Sequence, residues 1–532
     1  MTTFNQQKET LKSRLVDLLG ADAVIVDSEV LHLLSTDVYA SGPIAALAVC
    51  PRDRQDVPRV VQLIGEHGFS VIPRGGGLSY TGGYTPDHMK SVIVDLRRLD
   101  KIIELSESDM IITVEAGVTW KQIYVALAPL GLRLPFFGTF SGALATVGGG
   151  MSNGALFLGS ARYGSAADMA LGLEVVLASG EVVKTGQAAF ANGVSFYRTY
   201  GPDLTGLFLH DAGALGVKTL ITMRLIRAPT VTDAASFVFA DMACAAHALS
   251  VVGRSGLCED AYVFDPETTR NNLQGSDLQK SAGRLAKVMA TEKRWIRRVS
   301  QAIKLLRGAH ELKSSEVFSL HVVCAGETRR GVDGDLDLLR SLLVPFAAKE
   351  IGSTIPTAVR ANLFEPVNSL VGTQGERWAA LNAKLRHSQL DELLLNTDAL
   401  FARHAKAMAQ HGVTFSRLCM AISNHTFSFE PVLRWSDEWL PLHRSVPELA
   451  YLKNVSEPPP NLLARELVAT MRAELVALFA EMGLASNQIG RTYPWFVSLN
   501  PVTARLVQDL KNSLDPHGVM NPGALGIGTK IT

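Results

Sequence analysis

Two stretches are dense in glycine in a way that could serve chemistry. Pro73-Arg74-Gly75-Gly76-Gly77-Leu78-Ser79 follows the apolar run FSVI, and Thr146-Val147-Gly148-Gly149-Gly150-Met151-Ser152-Asn153-Gly154 forms the second. A pyrophosphate is held by backbone N–H groups aimed at it, and a Cβ in the way would block its approach. Neither stretch fits GxGxxG, so a Rossmann site is not supported. Gly523 to Lys530 approaches a P-loop, but it ends Gly-Thr-Lys with the last two residues in the wrong order. Taken singly, each cluster reads more readily as a set of tight turns than as a phosphate cradle. Together and in this order they read as a dinucleotide cradle.

The elements around these loops should hold them in place. LAVCP is a short apolar strand. A helix is expected over Gln55 to Gly68, with Asp56 as N-cap, Val57, Val60, Val61 and Ile64 as its apolar stripe, and Gly68 as its stop. FSVIP, SVIVDL and MIITVEAG read as strands, so the order strand–helix–strand–glycine loop–strand–strand is an α/β arrangement. LEVVLASGEVV reads as a hairpin turning at Ser179-Gly180, and GVKTLITMRLI alternates as a strand should. Residues 1–40 read as short helices. After Arg227 the character shifts to long helical runs, 278–307 and 461–483, mixed with strands near 235–240, 316–325 and 417–430. Three segments are expected: 1–227 with the glycine loops, 228–485 as a second domain, and 486–532 as a returning tail.

The chain of 532 residues is 47% hydrophobic and 19% charged, enough to bury a large core in two or three domains. Lys+Arg and Asp+Glu number 51 each, so nothing global attracts a phosphate backbone and nucleic acid is not an expected partner. Cys50, Cys244, Cys258, Cys324 and Cys419 are odd in number and far apart, which argues against a disulfide framework, a zinc ribbon or an iron–sulfur cluster. The N-terminus lacks a signal-peptide core and no stretch approaches about 18 apolar residues. A soluble, cytoplasmic protein is expected, with peripheral membrane attachment left open.

The segment from about 45 to 227 closely resembles the FAD-binding domain of the vanillyl-alcohol oxidase / p-cresol methylhydroxylase superfamily. PRGGGLSYTGG resembles its pyrophosphate loop, and ALATVGGGMSNGALFLGSARYGSAADMALGLEVVLASGEVV its second flavin segment. GPDLTGLFLHDAGALGVKTLITMRLIRAP resembles the closing strand pair of glycolate oxidase and D-lactate dehydrogenase relatives, and LKNSLDPHGVMNPG the C-terminal FAD contact. The resemblance implies an α+β fold: a two-subdomain FAD-binding domain of the p-cresol methylhydroxylase type, plus an α+β substrate (cap) domain with an antiparallel sheet. It implies that Arg74 to Ser79 wrap the pyrophosphate. Thr146, Val147, Gly148, Gly149, Ser152, Gly154 and Gly164 would hold the ribityl chain and ring edge. Gly213, Gly216 and Val217 would contact the adenine side, and Asn521 would reach back to the ring. Pro73, Pro135 and Tyr163 complete the expected cofactor-binding set.

Oxidation of an alcohol by flavin needs the substrate C–H over the flavin N5 and a group to take or polarise the O–H proton. His425, in ISNHTFSFEP, sits in an alternating strand pattern and is one candidate; a hydrogen-bonded core histidine is the bland alternative. The metal-binding His-x-Gly-Asp-Gly-Asn-x-His of hydroxy-acid relatives is absent, so no metal is expected. Glu430 falls on the opposite face from His425 at a separation of five, and reads as the structural partner of an arginine. Arg491-Thr492-Tyr493 resembles the Tyr-Arg-Thr-His stretch of phenol-oxidising members. It stands just after Asn487-Gln488-Ile489-Gly490, where acid-oxidising members carry Glu-His-Gly-Ile-Gly. Arg491 would then hold an anionic substrate group and Tyr493 would donate to it or to the flavin. Trp435, Trp439, Trp495 and Phe496 would suit an aromatic-lined pocket.

Non-covalent FAD is expected, because no motif commits a His or Tyr to attachment. The expected reaction is hydride transfer from a hydroxyl-bearing small molecule, an alcohol or 2-hydroxy acid. A 4-hydroxybenzyl phenolic substrate is the alternative. A non-redox synthase like alkyl-dihydroxyacetonephosphate synthase is a more distant one, since only the isolated His425 stands where that family has adjacent histidines. The electron acceptor is left open among oxygen, a quinone, a cytochrome and an electron-transfer flavoprotein, as is assembly into a homodimer.

Overall fold

The computed structural model describes residues 2–274 and 317–527. The helical run expected over 278–307 lies outside the described residues. The first 40 residues hold one long helix of 18 residues, Thr2–Leu19, and one short one, Ser28–Leu34. Leu11 and Leu15 of the long helix are fully buried.

Four strands, β1 (Val24–Ile25), β2 (Leu47–Val49), β3 (Ser70–Arg74) and β4 (Ser91–Asp95), form the first sheet in the order β1-β2-β4-β3. β2, β4 and β3 run parallel, and the helix Val57–Glu66 makes the crossover between β2 and β3. Its buried stripe is Val57, Val60, Val61 and Ile64. The cap differs from expectation: Asp56 makes no side-chain cap bond, and Asp53 caps the preceding 3-10 turn through the Gln55 N–H instead. Seven strands follow: β5 (Ile102–Ser106), β6 (Ile111–Glu115), β7 (Leu132–Arg133), β8 (Ala170–Val176), β9 (Val182–Lys184), β10 (Val217–Arg224) and β11 (Ile226–Arg227). The second sheet is antiparallel with the order β5-β6-β10-β8-β9, and β7 pairs with β11. Gly180 turns the β8–β9 hairpin at φ 85°.

The third sheet is antiparallel. β12 (Val231–Phe239), β13 (Asp260–Phe264), β14 (Phe318–Gly326), β15 (Lys349–Ile351), β16 (Arg377–Ala380), β17 (Ala383–Leu385), β18 (Val413–Ile422) and β19 (Thr426–Trp435) are ordered β15-β12-β14-β13-β18-β19-β16, with β17 also on β19. Its two faces do different work, as strand alternation requires. Phe427, Phe429, Leu433 and Trp435 pack in one core with Leu249, Phe401 and Met471 of the helices Met242–Ser255, Leu390–His411 and Leu462–Glu481. Tyr262, Phe264, Met420 and Ile422 join the core of the first two sheets. The third sheet is therefore a roof over the glycine loops.

The tail closes back on the first sheet. Val71 of β3 donates to Val519 O at 2.9 Å and accepts from Asn521 N at 2.9 Å, one residue pair before Pro73-Arg74. Among the described residues no helix is long and apolar enough to cross a membrane.

Candidate active site

The Pro73–Ser79 loop leaves the end of β3, and the second glycine stretch opens the short helix Val147–Asn153, capped by Thr146. The two line one cleft. Tyr80, Tyr84, Trp120, Ala212, Gly213, Gly216 and Lys218 share it, and Glu430, Asn487 and Gln488 close one end.

Its glycines are close approaches rather than simple turns. A Cβ on Gly75 would stand 2.2 Å from Thr146 Oγ1, and one on Gly154 (φ 63°) would stand 2.0 Å from the His210 ring. Gly149 is different: its Cβ would meet only Thr146 Oγ1 at 3.3 Å, so it faces the open cleft. Arg74 is only 3% exposed, yet its one hydrogen bond runs to Gly75 O at 3.2 Å and its Nε has no partner. A buried guanidinium without a carboxylate is costly unless an anion joins it. Burial pulls its pKa down, with the Tyr84 and Asp95 side chains only partly opposing this. Trp120 Nε1, Asn153 Oδ1 and Asn487 Oδ1 are likewise buried on the cleft wall without partners. An anionic diphosphate at Arg74 and a polar ring system at Asn153 and Asn487 would complete them, so the residues present fit FAD.

Glu430 is the carboxyl group of this cleft. It accepts from Asn382 Nδ2 at 3.3 Å and Tyr80 Oη at 3.5 Å. Burial lifts it from the ordinary 4.5 to about 7, and those two hydrogen bonds offset only part of the rise. The expectation of an arginine partner is thus corrected. Arg472 instead holds the neighbouring loop, donating to Ala380 O at 2.8 Å and Tyr80 O at 3.2 Å while lying over the Tyr39 ring. Asp37 accepts from Gly82 N at 2.7 Å on the same loop. Ser79 Oγ donates to Gln488 Oε1 at 2.6 Å, joining the glycine loop to the tail. Asn487 and Gln488 enter the wall at the point where the sequence showed only the loss of a metal-binding Glu and a His.

The other candidates fall elsewhere. His425 occupies the exposed turn between β18 and β19, not a strand, and does not line the cleft. Arg491 donates from its two terminal nitrogens to Gly82 O, to Asn521 Oδ1 at 2.7 Å and to Pro522 O at 2.6 Å; its buried Nε has no partner, and it does not line the cleft. Tyr493 Oη is tied to Asn382, accepting from its N–H at 2.6 Å and donating to its carbonyl at 3.0 Å, and burial pushes it up to about 12. It braces Asn382, which in turn reaches Glu430.

Trp435 packs on the far face of the third sheet, Phe496 in a separate core under the tail, and Trp439 donates to Gly375 O. The aromatic wall of the cleft is Tyr80, Tyr84 and Trp120 instead. Among the expected cofactor residues, Pro73 to Ser79, Thr146, Gly148, Gly149, Ser152, Gly154, Gly213 and Gly216 line the cleft. Val147 and Val217 are fully buried in the core, the Pro135 carbonyl packs against Gly159, Tyr163 lies by Arg133, and Gly164 abuts Asp168. Asn521 acts behind the wall, donating to Gly83 O at 2.7 Å and Ala212 O at 2.6 Å.

The five cysteines are free thiols. Among the described residues no group of three or more His, Cys, Asp or Glu could hold a metal ion.

Residues 45–186 match a family model described as FAD binding domain. The chain is 30% identical over 216 residues to the glycolate oxidase subunit GlcD of Bacillus subtilis, covering 41% of this chain and 44% of that protein. It is 31% identical over 207 residues to the mitochondrial D-lactate dehydrogenase (cytochrome) of Arabidopsis thaliana, covering 37% of this chain and 35% of that one. The chain thus spans less than half the length of these curated relatives. A structure of p-cresol methylhydroxylase with substrate bound superposes with TM-score 0.74 at 20% identity, covering 98% of this chain and 97% of that one, a likeness of fold. Residues 45–186 are thus an FAD-binding domain related in sequence to those of glycolate oxidase and D-lactate dehydrogenase, and the chain as a whole has the fold of p-cresol methylhydroxylase.

Proposed function

We propose that the protein oxidises a hydroxyl-bearing small molecule, an alcohol or 2-hydroxy acid, with FAD held non-covalently in the cleft and Glu430 receiving the hydroxyl proton. FAD bound there supplies a hydride acceptor at its N5. One observation carries the reading: a half-buried carboxyl, free of any cation partner among the described residues, stands in the glycine-lined cleft with its pKa raised to about 7. A base is most useful when its pKa lies near working pH. Asn382 and Tyr80 orient the carboxyl, Tyr493 fixes Asn382, and Arg472 fixes the Tyr80 backbone. The third sheet roofs the cleft and keeps water from the reacting atoms.

The rings of Tyr80, Tyr84 and Trp120 on the cleft wall favour an aryl or apolar donor as the second reading. In that case a phenolate would need an anchor on the cleft wall other than Arg491, which does not line it.

Anaerobic mixing with 2-hydroxy acids, 4-hydroxybenzyl alcohols and long-chain alcohols tests the proposal by bleaching of the flavin absorbance. One class is expected to bleach it, and readmitted air then shows whether oxygen is the acceptor. Glu430→Gln should keep its flavin but slow bleaching by at least about 100-fold, as loss of a general base does. The wild-type rate should rise as pH passes about 7, and the variant's should not. A variant that bleaches at the wild-type rate removes Glu430 from the reaction.

A further inference from the structure

A second polar group stands behind the Gly154 and Asn487 wall, outside the proton transfer just described. Lys384 lies on β17, directly opposite Ser428 of β19, so its side chain shares a face with Ser428 and, two residues on, with Glu430. On its other edge Lys384 N–H donates to Ala485 O at 2.8 Å and its carbonyl accepts from Ala485 N at 3.2 Å, two residues before Asn487. Lys384 is thus bonded to both segments that close the cleft. His210 lies within electrostatic reach of its ammonium, and the His210 ring fills the space where Gly154 would carry a Cβ.

Two polar groups on the segments beside it lack partners. Ser428 Oγ and Asn487 Oδ1 are buried without partners. Among the described residues no hydrogen bond or ion pair reaches Lys384 Nζ. Burial draws the ammonium down to about 8, opposed only by the Asp168 carboxylate. That carboxylate is already engaged by Ser165 N at 2.7 Å and Ser165 Oγ at 2.9 Å. The other cations nearby are committed. Lys218 pairs with Asp211 at 2.6 Å, Arg491 with backbone carbonyls, and Arg74 stands at the other glycine loop. His210 is held neutral, its pKa drawn down to about 4 mainly by burial.

We propose that Lys384 is the cation that stabilises negative charge on the flavin ring as it takes up electrons, so that its charge sets the flavin's reduction potential. A hydride delivers two electrons and one proton nucleus to N5. The neutral oxidised ring thereby becomes an anion, while the substrate hydroxyl proton goes to Glu430. A cation held in a low-dielectric wall stabilises that anion without reorganising. Lys384 shares its sheet face with Glu430 and lacks a partner, as the role requires.

The inference rests on FAD in the cleft but not on any particular donor, and sulfite tests it without one. Sulfite adds to flavin N5 through its sulfur lone pair, bleaches the absorbance and leaves the ring anionic. The holoprotein is titrated with sulfite, and its midpoint potential is read by equilibration with a reference dye. Lys384→Met is expected to retain FAD and to bind sulfite about 100-fold more weakly, with the two-electron potential lowered by about 60 mV, the same factor at 29.6 mV per tenfold. Lys384→Arg is expected to stay within about threefold of wild type, since it keeps the charge. Lys384→Gln is read in the same way should the Met variant not accumulate.

Equal sulfite affinity in wild type and the neutral variants overturns the proposal. So do equal losses in the Arg and neutral variants, or a wild type that takes up no sulfite. A donor panel that leaves the flavin coloured overturns the proposed reaction and leaves this result standing.

Discussion

Glu430 and His425 lie five residues apart on one hairpin, and their fates show what a single residue's setting decides. Period-two alternation assumes that both lie on one strand, but β19 begins at Thr426, after His425. His425 is in the turn, in water; Glu430 is under the roof, where its charge is costly. That cost has a stability consequence. The folded carboxyl titrates near 7 and the unfolded one near 4.5. Between those values the native state holds a proton the unfolded state has lost, so this contribution is full below about 4.5 and is lost as pH rises through 7. Glu430→Gln should therefore be about 3 kcal/mol more stable than wild type at pH 8.5 and nearly level with it at pH 4.5, at 1.36 kcal/mol per pKa unit. Urea titration of the flavin-free proteins at the two pH values checks this; equal differences at both would show that the carboxyl is not perturbed.

Gly149 tests the cradle at the same scale. A Cβ on Gly76 would lie 2.3 Å from Leu144 O, so a substitution there disturbs the backbone itself. Gly149→Asp instead points a carboxylate into free space, and should give a folded, colourless protein by circular dichroism and flavin absorbance. Full flavin loading would remove Gly149 from the cofactor wall.

At the scale of elements, the glycine loops, the β2–helix–β3 crossover and the β8–β9 hairpin were legible because each is fixed by local chemistry: positive φ, an apolar stripe, a turn pair. The positions of Arg491, Tyr493 and the tryptophans were not, because they depend on which distant strand arrives beside them. Arg491 illustrates the point. Its partners are carbonyls of residues 82 and 522 and the Asn521 side chain, none inferable from neighbours in sequence. Arg491→Ala should consequently loosen the tail, costing about 2–4 kcal/mol from lost charged hydrogen bonds. It should lower flavin content while the loaded fraction bleaches at the wild-type rate. Slower bleaching at full loading would return Arg491 to the reaction.

The roof is pinned comparably. Arg133 of β7 meets Glu259 beside β13, and Arg360 bonds Asp260 at 2.6 Å and Glu259 at 3.1 Å, all four buried or nearly so. Removing one partner strands a buried carboxylate, so Arg360→Met should cost about 3–5 kcal/mol. Thermal melts would show it, and an unchanged melting temperature would mean that the network does not hold the roof.

Across the whole molecule, the cofactor site is assembled from segments that meet late. The first two sheets supply the loops, the third supplies Glu430, and the tail supplies Gln488 and the Asn521 clamp. Asn521 bonds Gly83 across 438 residues of sequence. A ribosome adding about 5–20 residues per second needs about 20–90 s to travel that distance. Throughout that interval the first glycine loop exists without the tail segment that closes it. Capture of FAD is therefore among the last events in the making of this protein, and a nascent chain stalled before residue 511 should emerge folded in part and without colour.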